Sequence, residues 1–355
     1  MKKISNLKPQ ISNKFQIPNS KFQIVLFFIF ILLLVLIFIG WLGWKLISNQ
    51  PSGFLSPIGK IDQGIKQKPL DKYSFENLKK RGGVASEIVL EELLESTADY
   101  DEYVFSYESE GRQITGLAFI PKNVEGKLPV IIQNRGYVDI NEYETGVGTR
   151  PSARVYAGNG FITLAPDFLG YGGSDMPPSD NVWEERFLRL PAAIDLIASV
   201  KNLPQADPEK IFLWGHSNGG MITLAVLEIT GGDYPAVLWA PVSRFFPYDV
   251  LYFTNEAEDK GKQLRKLLSQ FEADYDVDDY SIDEYFSWIN APIQLHQGTA
   301  DPFIPVLWSD ELNDKLTQLG VQVNYYLYPG VDHQLKNSWD MVVERDVQFF
   351  KSFLQ

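Results

Sequence analysis

A serine in a glycine-rich turn is the first candidate for chemistry in this chain. The segment Gly215-His216-Ser217-Asn218-Gly219-Gly220 follows a short apolar run and precedes an apolar stretch with helical spacing. A nucleophilic serine on a sharp strand-to-helix turn needs small residues two positions before and after it, because strand and helix approach closely there. The pattern predicts Ser217 as a nucleophile, with the Asn218 backbone N–H directed at the developing oxyanion.

The base that would activate this serine is found by elimination, because the chain has only three histidines. In hydrolases built on such a turn the chain order is nucleophile, acid, histidine. His216 adjoins the serine and is expected to point elsewhere, and His296 lies in a predicted strand ahead of the best acid. His333, in a loop before the last predicted helix, is therefore the predicted base.

Asp301 is the predicted acid that orients this base. It follows a predicted strand over Ile293–Gln297, so its loop should lie at the same sheet edge as Ser217. Asp310 and Asp314 fit solvent-facing positions of the helix that comes next.

The second oxyanion donor is expected from the loop after the apolar run Leu128–Gln133. The backbone N–H of Gly136 or of Tyr137 is the candidate, and an ordinary turn glycine is the alternative interpretation. The reaction that these groups predict is acyl transfer through an acyl-enzyme, which needs no metal and no cofactor.

The elements that must position these residues show short buried runs alternating with helical patterns. This alternation indicates a mostly parallel sheet with helices on both faces, the α/β-hydrolase fold when combined with the serine turn. A hairpin is predicted ahead of it, from Tyr103–Tyr107 and Gln113–Phe119 around Glu110-Gly111. The later predicted strands and helices are Phe161–Ala165, Leu188–Val200, Ile211–Trp214, Gly219–Ile229, Ala236–Trp239, Leu307–Leu319, Val321–Tyr328 and Trp339–Leu354.

Residues 81–355 form the predicted catalytic domain, and an acidic, aromatic insertion interrupts it at 241–290. Insertions between late strands of such a sheet overhang the carboxyl ends of the strands, where ligands bind. The insertion is expected to be a cap that shapes the substrate pocket. The alternative is a helical excursion that packs on its own aromatic residues.

The first eighty residues have a different character. Residues 1–21 are predicted as a basic cytoplasmic tail, 22–45 as a transmembrane anchor and 46–80 as a linker. Every residue from Ile24 to Trp44 is apolar or glycine, which is long enough to span the hydrocarbon core of a bilayer and longer than the core of a cleaved signal peptide, the alternative. Because the lysines precede this run, the N-terminus is expected to be cytoplasmic and the catalytic domain extracytoplasmic, in a single-pass protein of the cell membrane.

Charge and cysteine content exclude several functional classes. The formal net charge is −13 at pH 7, and such a surface disfavours nucleic acid as a partner. The chain has no cysteine, which excludes disulfides, thiol catalysis and cysteine-ligated metals.

From about Tyr103 onward the sequence resembles the catalytic domain of the prolyl oligopeptidase family of serine peptidases. The segments that carry the resemblance are 110–121, Gly170-Tyr171-Gly172-Gly173-Ser174, the serine turn at 215–220, Gly298-Thr299-Ala300-Asp301-Pro302-Phe303-Ile304-Pro305 and Tyr328-Pro329-Gly330-Val331-Asp332-His333. The resemblance implies Ser217 as nucleophile, Asp301 as acid and His333 as base. In the first oxyanion loop such relatives usually carry His-Gly-Gly or Tyr-Gly-Gly, and here Arg135 stands before Gly136.

Three functions follow as expectations. The first is a membrane-anchored serine peptidase that cleaves short peptides. The second is a carboxylesterase of the same fold, because the triad does not distinguish amides from esters, and the third is a non-catalytic scaffold or receptor. The expected partners are a peptide or small ester substrate and, through the N-terminal helix, the lipid bilayer.

Overall fold

The computed structural model describes residues 68–254 and 257–354, together with Leu32, Val35 and Phe38, which are helical. The predicted tail and anchor, 1–21 and 22–45, therefore lie outside the described residues apart from these three positions, and so does the linker up to residue 67. Within the described part of the chain, no helix is both long and apolar enough to cross a membrane.

Nine strands form one sheet in the described residues, in the order β1-β2-β3-β5-β4-β6-β7-β8-β9. Strands β1, β2 and β3 pair antiparallel, and β3 also pairs antiparallel with β5. The remaining neighbours, β5-β4-β6-β7-β8-β9, are all parallel. The strands are β1 Val89–Ser96, β2 Tyr100–Ser109, β3 Arg112–Pro121, β4 Leu128–Asn134, β5 Ile162–Pro166, β6 Ala206–His216, β7 Ala236–Trp239, β8 Ile293–Gly298 and β9 Val323–Tyr328. The predicted mostly parallel sheet is confirmed.

The helices connect these strands and cover both faces of the sheet. They are α1 Phe75–Arg81, α2 Arg150–Gly158, α3 Val182–Phe187, α4 Arg189–Ser199, α5 Asn218–Thr230, α6 Tyr248–Leu251, α7 Lys262–Glu272, α8 Val306–Gln318 and α9 Trp339–Ser352. Alternate residues of one strand serve the two cores: Val130 and Ile132 of β4 pack with α1, α4, α5 and α8, and Ile131 packs with α2 and α9. This two-sided burial explains why the parallel strands are continuous apolar runs.

The predicted hairpin is also present. β2 and β3 pair over their full length, with Ser109 opposite Arg112. The two residues between them, Glu110 and Gly111, both have positive φ, 51° and 69°. This is the backbone of the two-residue turns that suit a hairpin.

Residues 68–80, assigned to the linker from sequence, belong to the folded unit, which runs from Lys68 to Gln355. Leu70, Tyr73, Phe75 and Leu78 are buried in the larger core. The Arg81 guanidinium also bonds both carboxylate oxygens of the buried Asp195, at 2.8 and 2.7 Å. The preceding residues are rich in Pro, Gly, Ser and Gln, and they led the sequence-based prediction to extend the linker over these few apolar positions.

The insertion 241–290 is helical and packs on aromatic residues. Its described residues include α6, α7 and the short 3-10 turns Asp278–Tyr280, Ile282–Glu284 and Phe286–Trp288. Phe246 and Phe271 of the insertion contact Trp183 and Phe187 of α3, with ring centroids 5.3 to 5.9 Å apart.

Candidate active site

Ser217 lies in the tight turn between β6 and α5. Its φ of 55° and ψ of −120° are rare for a residue other than glycine, and strain of this kind is typical of functional sites. The glycines around it are required by close packing. A Cβ atom on Gly215 would lie 2.4 Å from the Gly219 carbonyl oxygen, and one on Gly219 would lie 1.8 Å from the carbonyl oxygen of Asn134.

His333 and Asp301 come together at the same edge of the sheet. Asp301 follows β8, His333 follows β9, and 2.7 Å separates His333 Nδ1 from Asp301 Oδ2. Because an ionised carboxylate only accepts hydrogen bonds, Nδ1 carries the proton. Nε2 is then left with the lone pair that a general base needs.

Opposing influences set the pKa of Asp301. Burial, the largest of them, favours the neutral acid. The hydrogen bond from His333 and the backbone N–H groups of Ile304 and Phe303, at 2.9 and 2.8 Å, favour the carboxylate and together prevail. The pKa of Asp301 is therefore lowered, and the side chain is ionised at neutral pH.

His216, expected to point away from the site, points at the histidine loop. Its Nε2 lies 3.0 Å from the His333 carbonyl oxygen, and the two ring centroids are 4.6 Å apart. Burial above all, and then the neighbouring His333, lower the pKa of His216 to about 4. The neutral ring donates from Nε2 and holds the backbone of His333. In the sequence, only the position of His216 directly before Ser217 indicates that it could contact the histidine loop.

The predicted nucleophile and the predicted base are not hydrogen-bonded to each other. Among the described residues no hydrogen bond joins Ser217 Oγ to His333, although His216 brings the histidine loop against the serine turn. Catalytic hydrogen bonds are often loose before substrate binds.

Several backbone N–H groups near Ser217 have no acceptor in the described part of the chain. They include those of Asn218, the first residue of α5, and of both Gly136 and Tyr137. Gly136 lies against the nucleophile, since a Cβ atom built on it would be 3.2 Å from Ser217 Cβ. The Tyr137 side chain is 71% exposed. The loop after β4 thus lies beside Ser217 with its backbone, while the Tyr137 side chain points into solvent.

Arg135 is a further residue of this loop that the sequence did not assign to a role. It is 4% exposed, and its guanidinium contacts the backbone of Gly136 and of Asp167. The sequence signal was its place in the loop where relatives carry other residues.

The third histidine, His296, lies outside this site. It is fully buried in β8, with Nδ1 2.7 Å from the Tyr328 hydroxyl and Nε2 3.0 Å from Oδ1 of Asp346. Asp346 also accepts hydrogen bonds from Tyr156, Trp239 and Gln294. This second histidine–aspartate pair joins α9 to the sheet and reaches no solvent.

Known structures share this fold. A puromycin-hydrolyzing peptidase of Mycobacterium tuberculosis has a TM-score of 0.56 at 16% identity, over 72% of this chain and 40% of that one. An acetyl xylan esterase from Paenibacillus sp. R4 also has a TM-score of 0.56, at 15% identity, over 77% of this chain and 91% of that one. Such low identities show the fold alone.

Related sequences and a family model give the family. Dipeptidyl aminopeptidase A of Saccharomyces cerevisiae is 24% identical over 261 residues, which is 69% of this chain and 27% of that protein. The uncharacterized peptidase YtmA of Bacillus subtilis is 24% identical over 243 residues, 65% of this chain and 85% of that protein. The chain spans about a quarter of the dipeptidyl aminopeptidases that it matches. The model of the prolyl oligopeptidase family matches residues 150–355, more than half of the sequence, so the chain belongs to the prolyl oligopeptidase family.

Proposed function

We propose that this protein is a serine peptidase that cleaves short peptides through an acyl-enzyme. The observation that carries the proposal is the His333–Asp301 pair at the sheet edge that also bears Ser217 on its strained turn. Membership of the prolyl oligopeptidase family and the peptidase names of the relatives support it.

The proposed reaction has two halves, acylation of Ser217 and hydrolysis of the acyl-enzyme, and Ser217, His333 and Asp301 act in both. His333 Nε2 takes the proton of Ser217 Oγ, and the oxygen forms a bond to the scissile carbonyl carbon. The protonated imidazole then gives that proton to the leaving amine as the C–N bond breaks. Water, deprotonated by the same nitrogen, then forms a bond to the acyl carbon, and the proton passes to Ser217 Oγ as the ester C–O bond breaks. Asp301 stabilises the imidazolium in both halves.

The negative charge on the tetrahedral oxygen would be met by the N–H groups of Asn218 and Tyr137. Both lie beside Ser217 and have no acceptor among the described residues. The Asn218 N–H also lies at the N-terminus of α5, where the helix dipole favours negative charge. Fixed donors of this kind supply a large share of the rate in acyl transfer.

The insertion 241–290 is proposed to cap the substrate cleft. Its first residues are bonded to the serine turn, since Val242 N–H donates to the Ser217 carbonyl at 2.9 Å. Phe245 follows closely and is exposed, and Phe303 lies edge-on to His333 with centroids 5.3 Å apart. Exposed rings next to a catalytic histidine fit an apolar part of a substrate.

Anchoring to a membrane by residues 22–45 is part of the same proposal, supported by the length of the apolar run and the lysines before it. An enzymatic reporter fused after Gln355 tests the orientation. We expect it to be active only outside the cytoplasm, and activity restricted to the cytoplasm would refute this part of the proposal.

The test of the proposed activity uses the full chain and the Ser217→Ala variant in detergent. Hydrolysis of aminoacyl, dipeptidyl and N-acyl-aminoacyl amides is compared with that of p-nitrophenyl esters. We expect amide cleavage that falls at least a thousandfold in the variant. Turnover of esters alone would make the protein a carboxylesterase, and no serine-dependent turnover would favour the non-catalytic scaffold.

A further inference from the structure

Arg135 is held in an enclosed position beside the proposed oxyanion site. Its guanidinium carbon lies 4.2 Å from the ring centroid of Tyr143 and 4.2 Å from that of Tyr171. The two rings meet edge to face with their centroids 5.1 Å apart, so the planar group packs against both of them, a contact that suits arginine and not lysine. With 4% of its surface exposed, this side chain is no surface cation.

The hydrogen bonds of Arg135 go to backbone carbonyls. One terminal nitrogen donates to the Gly136 carbonyl and the other to the Asp167 carbonyl, each at 3.0 Å. The Asp167 carboxylate binds neighbouring side chains instead of Arg135. It accepts hydrogen bonds from the hydroxyls of Tyr143, of Thr115 at 2.6 Å and of Thr145 at 2.9 Å. One fork of donors thus fixes two loops, the one after β4 and the one after β5.

The bond to Gly136 has a consequence for the next N–H. The peptide between Gly136 and Tyr137 is trans, so its C=O and N–H point in opposite directions. With the carbonyl turned to the guanidinium, the Tyr137 N–H is turned away from it. It has no acceptor among the described residues, and a Cβ atom built on the preceding Gly136 would lie 3.2 Å from Ser217 Cβ.

We propose that Arg135 is a positioning residue for the oxyanion site. By holding the Gly136 carbonyl, it aims the Tyr137 N–H at the oxygen of the tetrahedral intermediate. The inference rests on the proposed acyl-transfer function, and it selects the Tyr137 N–H over that of Gly136 as second donor. Arg135 itself touches no substrate.

The test replaces Arg135 by lysine, which keeps the charge but loses the fork and the planar group that contacts the two rings. The matched control is Arg345→Lys on α9, because the guanidinium carbon of Arg345 also lies 4.2 Å from the ring centroid of a tyrosine, Tyr326. Steady-state kinetics of the full chain are combined with the affinities of two ligands. A peptide boronate becomes tetrahedral when Ser217 attacks it, and the matching peptide acid stays planar.

We expect Arg135→Lys to lower kcat about 10- to 100-fold with KM changed less than about twofold, since loss of a whole oxyanion donor costs about 100- to 1,000-fold. The boronate should bind more weakly by a similar factor, and the affinity of the peptide acid and all constants of Arg345→Lys should be unchanged. Tyr143→Leu, which removes one of the two rings that contact the guanidinium, should give the same pattern to a smaller extent and serves if Arg135→Lys does not fold.

Two results would overturn the inference alone, while the wild-type chain remains active. One is unchanged kcat and boronate affinity in Arg135→Lys. The other is equal weakening of boronate and peptide acid, which would indicate general distortion of the cleft. A wild-type chain that neither turns over substrate nor binds the boronate would refute the proposed function, and this inference with it.

Discussion

At the scale of single residues, the proposed base, His333, is held from two sides by groups that take no part in bond making in the proposed reaction. Asp301 binds the Nδ1 side of the His333 ring, and His216 holds the His333 carbonyl. Asp301 is itself fixed by the N–H groups of Phe303 and Ile304. The ring therefore keeps one tautomer and one position, which is what proton transfer in both directions requires.

His216 gives this arrangement a dependence on pH. Its pKa is lowered to about 4 in the folded chain, mainly by burial, so between pH 4 and about 6.5 the unfolded chain binds a proton that the folded chain does not. Stability should therefore fall as the pH is lowered through this window, by roughly 2 kcal/mol from this group between pH 8 and pH 5.

The variant His216→Gln tests this, because glutamine keeps an N–H donor and does not titrate. Urea unfolding at pH 8 and pH 5 should show a smaller loss of stability in the variant than in the wild type. An identical loss in both proteins would contradict the assignment.

At the scale of elements, the insertion 241–290 connects the serine turn to α8. Besides the backbone bond from Val242 to Ser217, the Ser243 hydroxyl donates to the Trp308 carbonyl at 3.0 Å. Trp308 in turn packs against Tyr252, with centroids 4.8 Å apart. Trp308 is buried, so this contact fixes the exposed Tyr252 of the insertion on α8.

Phe245 tests the cap. We expect Phe245→Ala to raise KM about tenfold for peptides with large apolar side chains and far less for alanine peptides, because burying an aromatic ring contributes about 1.5–3 kcal/mol. The control is Phe353→Ala, a similarly exposed ring next to the end of α9 (38% against 45%). Equal KM changes for both kinds of peptide would rule out the cap as a selectivity element.

At the scale of the whole molecule, one buried carboxylate joins α9 to the rest. Asp346 of α9 accepts hydrogen bonds from Tyr156 of α2 at 2.8 Å, from Trp239 of β7 and from Gln294 of β8 at 3.0 Å. Removing it would leave three buried donors without a partner, each of which costs free energy.

We expect Asp346→Ala to lower the free energy of unfolding by about 3–5 kcal/mol, while kcat per folded molecule stays within twofold. Asp340→Ala, on the exposed first turn of the same helix, should cost no more than about 1 kcal/mol. Urea unfolding of both variants measures the free energy of unfolding, and an activity assay on the folded proteins measures kcat. A loss of kcat without a loss of stability in Asp346→Ala would show that this network serves the chemistry instead.

The sequence predicted the parts of the molecule that repeat a strong local pattern. The strand of Ala236–Trp239 has the predicted bounds, and the glycines around Ser217 make the close contacts that the turn requires. The inward turn of His216 and the enclosure of Arg135 could not be predicted. Both depend on partners that are distant in sequence, His333 and Tyr171, and no local periodicity encodes such contacts.

The order of Ser217, Asp301 and His333 along the chain has a consequence for biosynthesis. Strands are translated in order, so a ribosome that has reached residue 300 has produced the serine turn but neither Asp301 nor His333. The nascent polypeptide then carries an unactivated hydroxyl. A product of premature termination before His333 would lack the proposed base, and we expect it to show no serine-dependent hydrolysis.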